Sequence, residues 1–357
     1  MSALLAEIRD RIALEGPMNV ERYMALCLSH PVHGYYINRD PLGTGGDFTT
    51  APEISQMFGE LIGLWAAQVW SDMGAPAALR LVELGPGRGT LMRDALRAAR
   101  VLPPFAAAVR VHLVETSPVL RARQRDTLAG TEVAWHDRLE DVPDGPAIVI
   151  ANEFFDALPV RQFVRADGAW RERLVGLADD GALAFGLAPD PERAIDRPGP
   201  EGAVLEWPAI GLSIARTLAE RLASGGGAAL VVDYGHLDTA FGDTLQAVRG
   251  HAFADPLAAP GETDLTTHVD FAALARAARA GGAGTHGPTT QGKFLRALGI
   301  EARAAVLKRR ATPAQAQAVD AALARLVGGE ADEMGELFKA VGFAHPALPG
   351  LPGLAAA

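Results

Sequence analysis

Cysteine, lysine and tyrosine are scarce in this chain. Among 357 residues there is one cysteine, Cys27, and the only lysines are Lys293, Lys308 and Lys339. A single thiol excludes an intrachain disulfide and any metal site built from several thiolates. Cys27 falls within the apolar pattern Val20, Met24, Leu28 and reads as a small core residue in a reducing compartment. The histidines are scattered without the short helical spacing of a zinc site, so no metal is expected. No apolar run reaches the roughly 18 residues that a membrane-spanning helix needs. Positive charge is in deficit, with 33 Lys and Arg against 43 Asp and Glu, a net charge of −10. That balance works against binding phosphate backbones, and no nucleic-acid partner is expected. The opening MSALLAEIRDRIALEG carries Glu7, Asp10 and Glu15 and no apolar stretch with a cleavage site. It resembles neither a secretory signal nor an acid-poor transit peptide, which predicts a bacterial cytoplasmic protein, or a matrix protein if the chain is a processed mitochondrial form.

Glycine and alternating apolar segments are plentiful. Leu4, Leu5, Ile8 and Ile12 form one face of a short helix, and Val20 to Leu28 form another. A longer helix is expected after Thr50, with Glu53 at capping-box distance, an apolar stripe through Ile54, Phe58, Leu61, Ile62, Trp65 and Val69, and Gly74 as its stop. From Leu79 the pattern becomes short apolar runs separated by helical segments: LRLVEL, VRVHLVE, TEVAWH, PAIVIAN and GAALVVDY. Runs of this kind suit an α/β fold with a mostly parallel sheet covered by helices on both faces. Between the last two, Asp167-Gly168 and Asp180-Gly181 punctuate strand-like segments and predict an antiparallel insertion over 160–188. Helices are expected over Ile210 to Leu222, Phe271 to Ala280 and Thr312 to Val327, and GGAGTHGPTTQG reads as a flexible loop. The linear division is an N-terminal helical segment over 1–75, an α/β core over 76–235, a loop and helical region over 236–330, and a return to the core over 331–357.

The segment LVELGPGRGTLMRDAL is a strand, a glycine turn and a helix. Gly85, Gly87 and Gly89 follow a Gly-x-Gly-x-Gly spacing, and Glu83 stands two residues before the first. A dinucleotide-binding turn has its third glycine one residue later and receives a pyrophosphate, so a nicotinamide dehydrogenase is disfavoured. Here a carboxylate closes the strand. It suits the amino-acid end of S-adenosylmethionine, which carries an ammonium and no phosphate, while the glycines let the ligand approach the backbone. Glu115, at the tip of the next strand, is placed to accept both ribose hydroxyls of such a nucleoside. Asp137 closes the third strand and could meet the adenine amino group. In ANEFFDALP, two readings of Asn152, Glu153 and Asp156 stand side by side. They hold the group that accepts the methyl, or Phe154 and Phe155 plug the core while the acids cap a helix.

Eight blocks in order, HPVHGYY, GGDFTTAPEISQMFGE, VELGPGRGTL, LVETSP, NEFFDALPV, VVDYGH, HAFADPLAAPGETDLTTHVDF and TTQGKFLRALGI, resemble the MidA-like methyltransferases. That family includes the mitochondrial complex I assembly methyltransferase. The resemblance runs from about Gly16 to Phe343 and implies a class I methyltransferase fold, S-adenosylmethionine as cofactor, and methylation of an arginine on a protein subunit of respiratory complex I. In a bacterium the counterpart would be a subunit of the homologous NADH:quinone oxidoreductase. By position it assigns Glu83, Gly85, Gly87 and Gly89 to the cofactor turn and Glu115 to the ribose. Gly45, Gly46, Asp47 and Thr49 are implied to close over the cofactor, and the NEFFDALP and DLTTHVDF blocks to line the acceptor side. A guanidinium must be oriented and relieved of a proton, work suited to paired carboxylates, and Glu153 and Asp156 are the candidates. Two other classes compete: a small-molecule methyltransferase, and an assembly factor that binds the cofactor with little catalysis.

Overall fold

The structure, a computed structural model, describes residues 2–38, 49–330 and 333–356. Its main sheet has eight strands: β1 Leu79–Leu84, β2 Val109–Val114, β3 Val133–His136, β4 Ala147–Asn152, β5 Gly227–His236, β6 Val269–Asp270, β7 Gly284–Thr290 and β8 Phe338–Ala344. Their order is β7-β8-β5-β4-β1-β2-β3, with β6 beside the end of β5. β8 runs against both its neighbours, and the pairings from β5 to β3 are all parallel. Every residue of β4 after Ala147 is buried, as is every residue of β5 up to Asp233. Continuous burial of this kind is why these strands read as unbroken apolar runs: both faces of the sheet are covered. The order in which strands are added reverses between the parallel neighbours β1 and β4, which places the crevice of an open sheet at their carboxyl ends.

The helix Gln56–Asp72 packs on the helix Thr90–Ala99 at close range, because two of its turns are glycine. A Cβ on Gly63 would stand 2.4 Å from the Ala95 carbonyl oxygen, and one on Gly59 would stand 2.8 Å from Asp94 Cβ. The expected capping box at Thr50 and Glu53 is not formed. Thr50 makes no side-chain cap bond, and a short helix Ala51–Ile54 ends at Ser55, whose hydroxyl accepts the Met57 N–H and starts the long helix afresh. Glu53 instead accepts the Thr90 hydroxyl at the start of the neighbouring helix. The capping box at Thr312 and Gln315 is present, and Asp270 caps the helix Phe271–Ala280. The stretch GGAGTHGPTTQG is not a flexible loop. It supplies β7, paired to β8 with an irregularity between His286 and Thr289. Its glycines and threonines lack the apolar signature of a strand, and only pairing with the reversed strand makes it one.

Contacts group the chain into two compact units. One takes in Thr49–Phe155, Ser213–Asp238 and Val269–Ala357, and contains the main sheet. The other takes in Met1–Phe48, Asp156–Leu212 and Thr239–His268. This grouping differs from the linear division at 75/76, 235/236 and 330/331, because the second unit is assembled from three separated stretches. It holds an antiparallel sheet in which Ala169–Leu177 pairs with Met18–Asn19, Arg161–Ala166 and Leu183–Leu187, while Val204–Trp207 borders Arg161–Ala166. The first hairpin turns on Asp167 and Gly168, both with positive φ (53° and 71°), as a two-residue turn of this twist demands. Leu4, Ile8, Met24, Cys27 and Val175 are among its buried core.

Candidate functional site

Glu83 is the fifth residue of β1 and is 3% exposed. Its Oε2 is buried with no hydrogen-bond partner among the described residues. Burial pushes its carboxyl up to about 8. Two residues on, the chain leaves the sheet through Gly85, Gly87 and Gly89, at φ 61°, 54° and 80°. Side chains other than glycine rarely adopt these angles, so the turn is open to close approach for a conformational reason. At Gly85 a side chain is excluded sterically as well, since a Cβ there would meet the ring of Phe154 at 2.9 Å. An unsatisfied buried carboxyl oxygen next to a half-buried glycine turn fits a ligand that carries an ammonium, and S-adenosylmethionine carries one.

Glu115 follows β2 directly and is 8% exposed. Its Oε1 accepts the Ser117 N–H at 2.7 Å and its Oε2 the Gln124 amide at 3.2 Å. Burial raises its carboxyl and these hydrogen bonds oppose the rise. Because β1 and β2 are paired in register, Glu83 opposite Leu113, the two acids stand at the same end of adjacent strands. Asp137 lies one residue past β3. Its side chain is 73% exposed and ion-paired to Arg121 Nη2 at 2.8 Å. Arg121 also donates to the carbonyls of Glu115 and His136, and so ties the tips of β2 and β3 together. His112 and His136 stack across the same two strands with ring nitrogens 2.9 Å apart. Burial holds His112 down at about 4, so this pair is neutral packing.

After β4 the chain turns sharply. Glu153 has φ 51°, an uncommon angle for a residue with a side chain. Its Oε1 accepts the Asn152 side-chain amide at 3.0 Å and the Ala51 N–H at 2.9 Å, so the acid caps the short helix Ala51–Ile54. Asp233 holds the turn from the neighbouring strand. It is fully buried, and its Oδ2 accepts the N–H groups of Phe154 and Phe155 at 3.1 and 3.0 Å. Phe155 is buried and Phe154 half-buried, and Glu153 caps a helix that lies far away in sequence. Asp156 opens the other unit, where its carbonyl accepts the Thr267 N–H at 3.0 Å. In that unit the Tyr36 hydroxyl donates to Asp264 Oδ1 at 2.7 Å. Burial, then the charges of Asp264 and Asp156, raise its phenol. Gly45, Gly46 and Asp47 lie outside the described residues. Thr49 is described and precedes the helix Ala51–Ile54.

The chain matches the S-adenosyl-L-methionine-dependent methyltransferase family over residues 61–289. It belongs to that family. The methyltransferase is 39% identical over 372 residues to the mitochondrial protein arginine methyltransferase NDUFAF7 homolog of Drosophila melanogaster, covering 94% of this chain and 84% of the other. It is also 39% identical to human protein arginine methyltransferase NDUFAF7, mitochondrial, over 86% of this chain and 76% of the human one. A crystal structure of a Burkholderia thailandensis protein bound to S-adenosyl-homocysteine superposes with a TM-score of 0.85 at 32% identity, covering 98% of this chain and 94% of that one. The fold is the class I methyltransferase fold, a mostly parallel sheet with one reversed strand, and the cofactor is S-adenosyl-L-methionine.

Asp233 is legible in the sequence as an acid at the end of the fifth apolar run, where strand tips face the crevice of an open sheet. Gln124, among arginines on the helix Pro118–Thr127, carries no such signal.

Proposed function

We propose that this methyltransferase methylates an arginine on a protein subunit of respiratory complex I, or of its bacterial counterpart, and thereby assists assembly. The naming of its mitochondrial relatives as protein arginine methyltransferases supports this reading. The observation that carries the cofactor side is the buried Glu83 Oε2, without a partner among the described residues, beside the glycine turn and one strand from Glu115. Glu83 receives the ammonium, Gly85, Gly87 and Gly89 let the tail lie against the backbone, and Glu115 takes the ribose hydroxyls. Asp137 is assigned to the adenine amino group, and Gly45, Gly46, Asp47 and Thr49 to closure over the ligand. When bound, the cofactor supplies a sulfonium methyl that an aligned nitrogen takes, leaving S-adenosylhomocysteine.

Glu153 and Asp156 are assigned to orienting the guanidinium and accepting its proton. Glu153 suits the first task because two hydrogen bonds already set the plane of its carboxylate. Glu153→Gln and Asp156→Asn are expected to lower kcat at least about a hundredfold, in line with loss of acid–base help. Near-normal turnover in both would remove the assignment. We place the reaction in a reducing compartment, a bacterial cytoplasm or a mitochondrial matrix, a reading supported by the buried free thiol of Cys27 and, for the matrix, by the mitochondrial naming of the relatives. The decisive experiment incubates the purified enzyme with methyl-labelled cofactor and cell extract and locates the label by mass spectrometry. Label on an arginine supports the proposal, label in a small molecule replaces it, and no label together with tight cofactor binding favours a binding factor.

A further inference from the structure

Gln124 is fully buried on the helix Pro118–Thr127, and three groups from three other elements use its amide. Nε2 donates to the Gly87 carbonyl at 2.8 Å and to Glu115 Oε2 at 3.2 Å, while Oε1 accepts the Trp135 indole N–H at 2.9 Å. An indole nitrogen only donates, and a carbonyl and an ionised carboxylate only accept. The amide therefore has one satisfactory orientation. Turned over, it would set N–H against N–H and oxygen against two acceptors.

We propose that Gln124 is a positioning residue of the cofactor site, setting the glycine turn and the Glu115 carboxylate in fixed relation through one amide, with Trp135 locking its orientation. The inference rests on the cofactor reading above and deepens it. Glu115 can present two lone pairs to a ribose only if its carboxylate plane is set beforehand. Ser117 N–H fixes Oε1 and Gln124 fixes Oε2. With Oε2 released, the carboxylate rotates about its last bond, and part of the binding free energy goes into ordering it again. The Gly87 carbonyl loses its buried partner in the same event.

Two variants test this. Gln124→Met keeps the volume and removes all three hydrogen bonds. Gln124→Glu still accepts from Trp135 but sets a second carboxylate against Glu115 and the Gly87 carbonyl. Calorimetry with S-adenosylhomocysteine is expected to show affinity about ten- to hundredfold weaker for Gln124→Met, as for loss of a hydrogen bond to a charged group. KM for the cofactor should rise in parallel while kcat stays within about threefold, the signature of lost ground-state and transition-state binding alike. A 5′-methylthioadenosine analogue lacking both ribose hydroxyls should bind wild type and variant within about threefold, because Glu115 has nothing to accept from it. For Gln124→Glu the defect should shrink as pH falls from 8 to 6, since the introduced carboxyl, once protonated, can donate to Glu115 as the amide does. A merely structural role would move none of this selectively. It would lower kcat, weaken the hydroxyl-free analogue equally and leave the defect flat with pH, and any of these results would overturn the proposal. A wild type that fails to bind S-adenosylhomocysteine would sink the underlying cofactor reading instead. Tight binding by wild type and by Gln124→Met alike would sink this inference alone.

Discussion

At the scale of single residues, the site is governed by carboxylates that the fold keeps away from water. Glu83 has its carboxyl raised from 4.5 to about 8 by burial. Without ligand it is therefore largely protonated at neutral pH, and an arriving ammonium favours its ionised form. Cofactor binding at pH 7 should release up to one proton from this group, and affinity should climb as pH rises toward 8. Calorimetry in buffers of differing ionisation enthalpy measures that release, and a buffer-independent heat would refute it. The sign for the ligand-free protein is opposite. A folded carboxyl raised above its unfolded value contributes stability below pH 4.5 that is lost as pH rises through about 8. Glu83→Gln removes that loss, so the ligand-free variant should be more stable than wild type at pH 8 by on the order of a few kcal/mol. The same variant should bind S-adenosylhomocysteine far more weakly. Denaturant melts at pH 5 and pH 8 check the first expectation, and titration checks the second. In the sequence Glu83 could be seen as an acid before a glycine turn. Its burial and its unpartnered oxygen could not, because both depend on what lies across from β1.

At the scale of elements, close approach and strained turns are the working devices. The contact between the helices Gln56–Asp72 and Thr90–Ala99 depends on Gly63, where an added Cβ would reach 2.4 Å from a backbone oxygen. Gly63→Ala should destabilise the fold by about 1–3 kcal/mol, although alanine is the better helix former, because backbone must move to admit the methyl. Urea denaturation at fixed pH decides the sign, and a stabilised variant would refute it. The turn after β4 is held by Asp233, which accepts two N–H groups on one oxygen while Glu153 sits at φ 51°. Asp233→Ala leaves both N–H groups without their acceptor in the interior. It should lower kcat more than it raises the cofactor KM, because the turn it frees carries Glu153 and not Glu83. Steady-state kinetics with varied cofactor separates the two effects. The helices from Val20, Ala209, Phe271 and Pro313 were legible from their spacing and caps. The break at Ser55 and the strand β7 were not. The first is decided by Glu53 reaching Thr90, and the second by a partner strand some fifty residues later in the chain.

At the scale of the whole molecule, ligand and fold are linked through the unit that contains the main sheet. Saturating S-adenosylhomocysteine at about a hundred times its dissociation constant should add about 2.7 kcal/mol of stability to wild type, and little to Glu83→Gln at the same concentration. Thermal unfolding with and without ligand measures the difference. In the same unit Glu60, 6% exposed, takes Arg97 and Arg303 from two helices at 3.0 and 2.7 Å. Glu60→Ala removes the shared anion and should cost about 2 kcal/mol, less than for a fully buried pair because both guanidinium groups reach solvent.

The amino-acid order by itself determined the alternation of strands and helices, the glycine turn with Glu83 before it, and the acid at the next strand tip. Those features are local, set by hydrophobic period, backbone freedom and chain direction, and neighbouring residues suffice to express them. Tertiary structure alone decided that the unit without the main sheet would be gathered from three separated stretches, that Asp137 would pair with Arg121, and that Glu153 would cap a helix about a hundred residues earlier in the chain. It also brought Gln124 between the turn and Glu115. Each of these depends on which distant groups share a low-dielectric interior. There an unpaired donor or acceptor is costly, and the partner that relieves it is chosen by proximity in space.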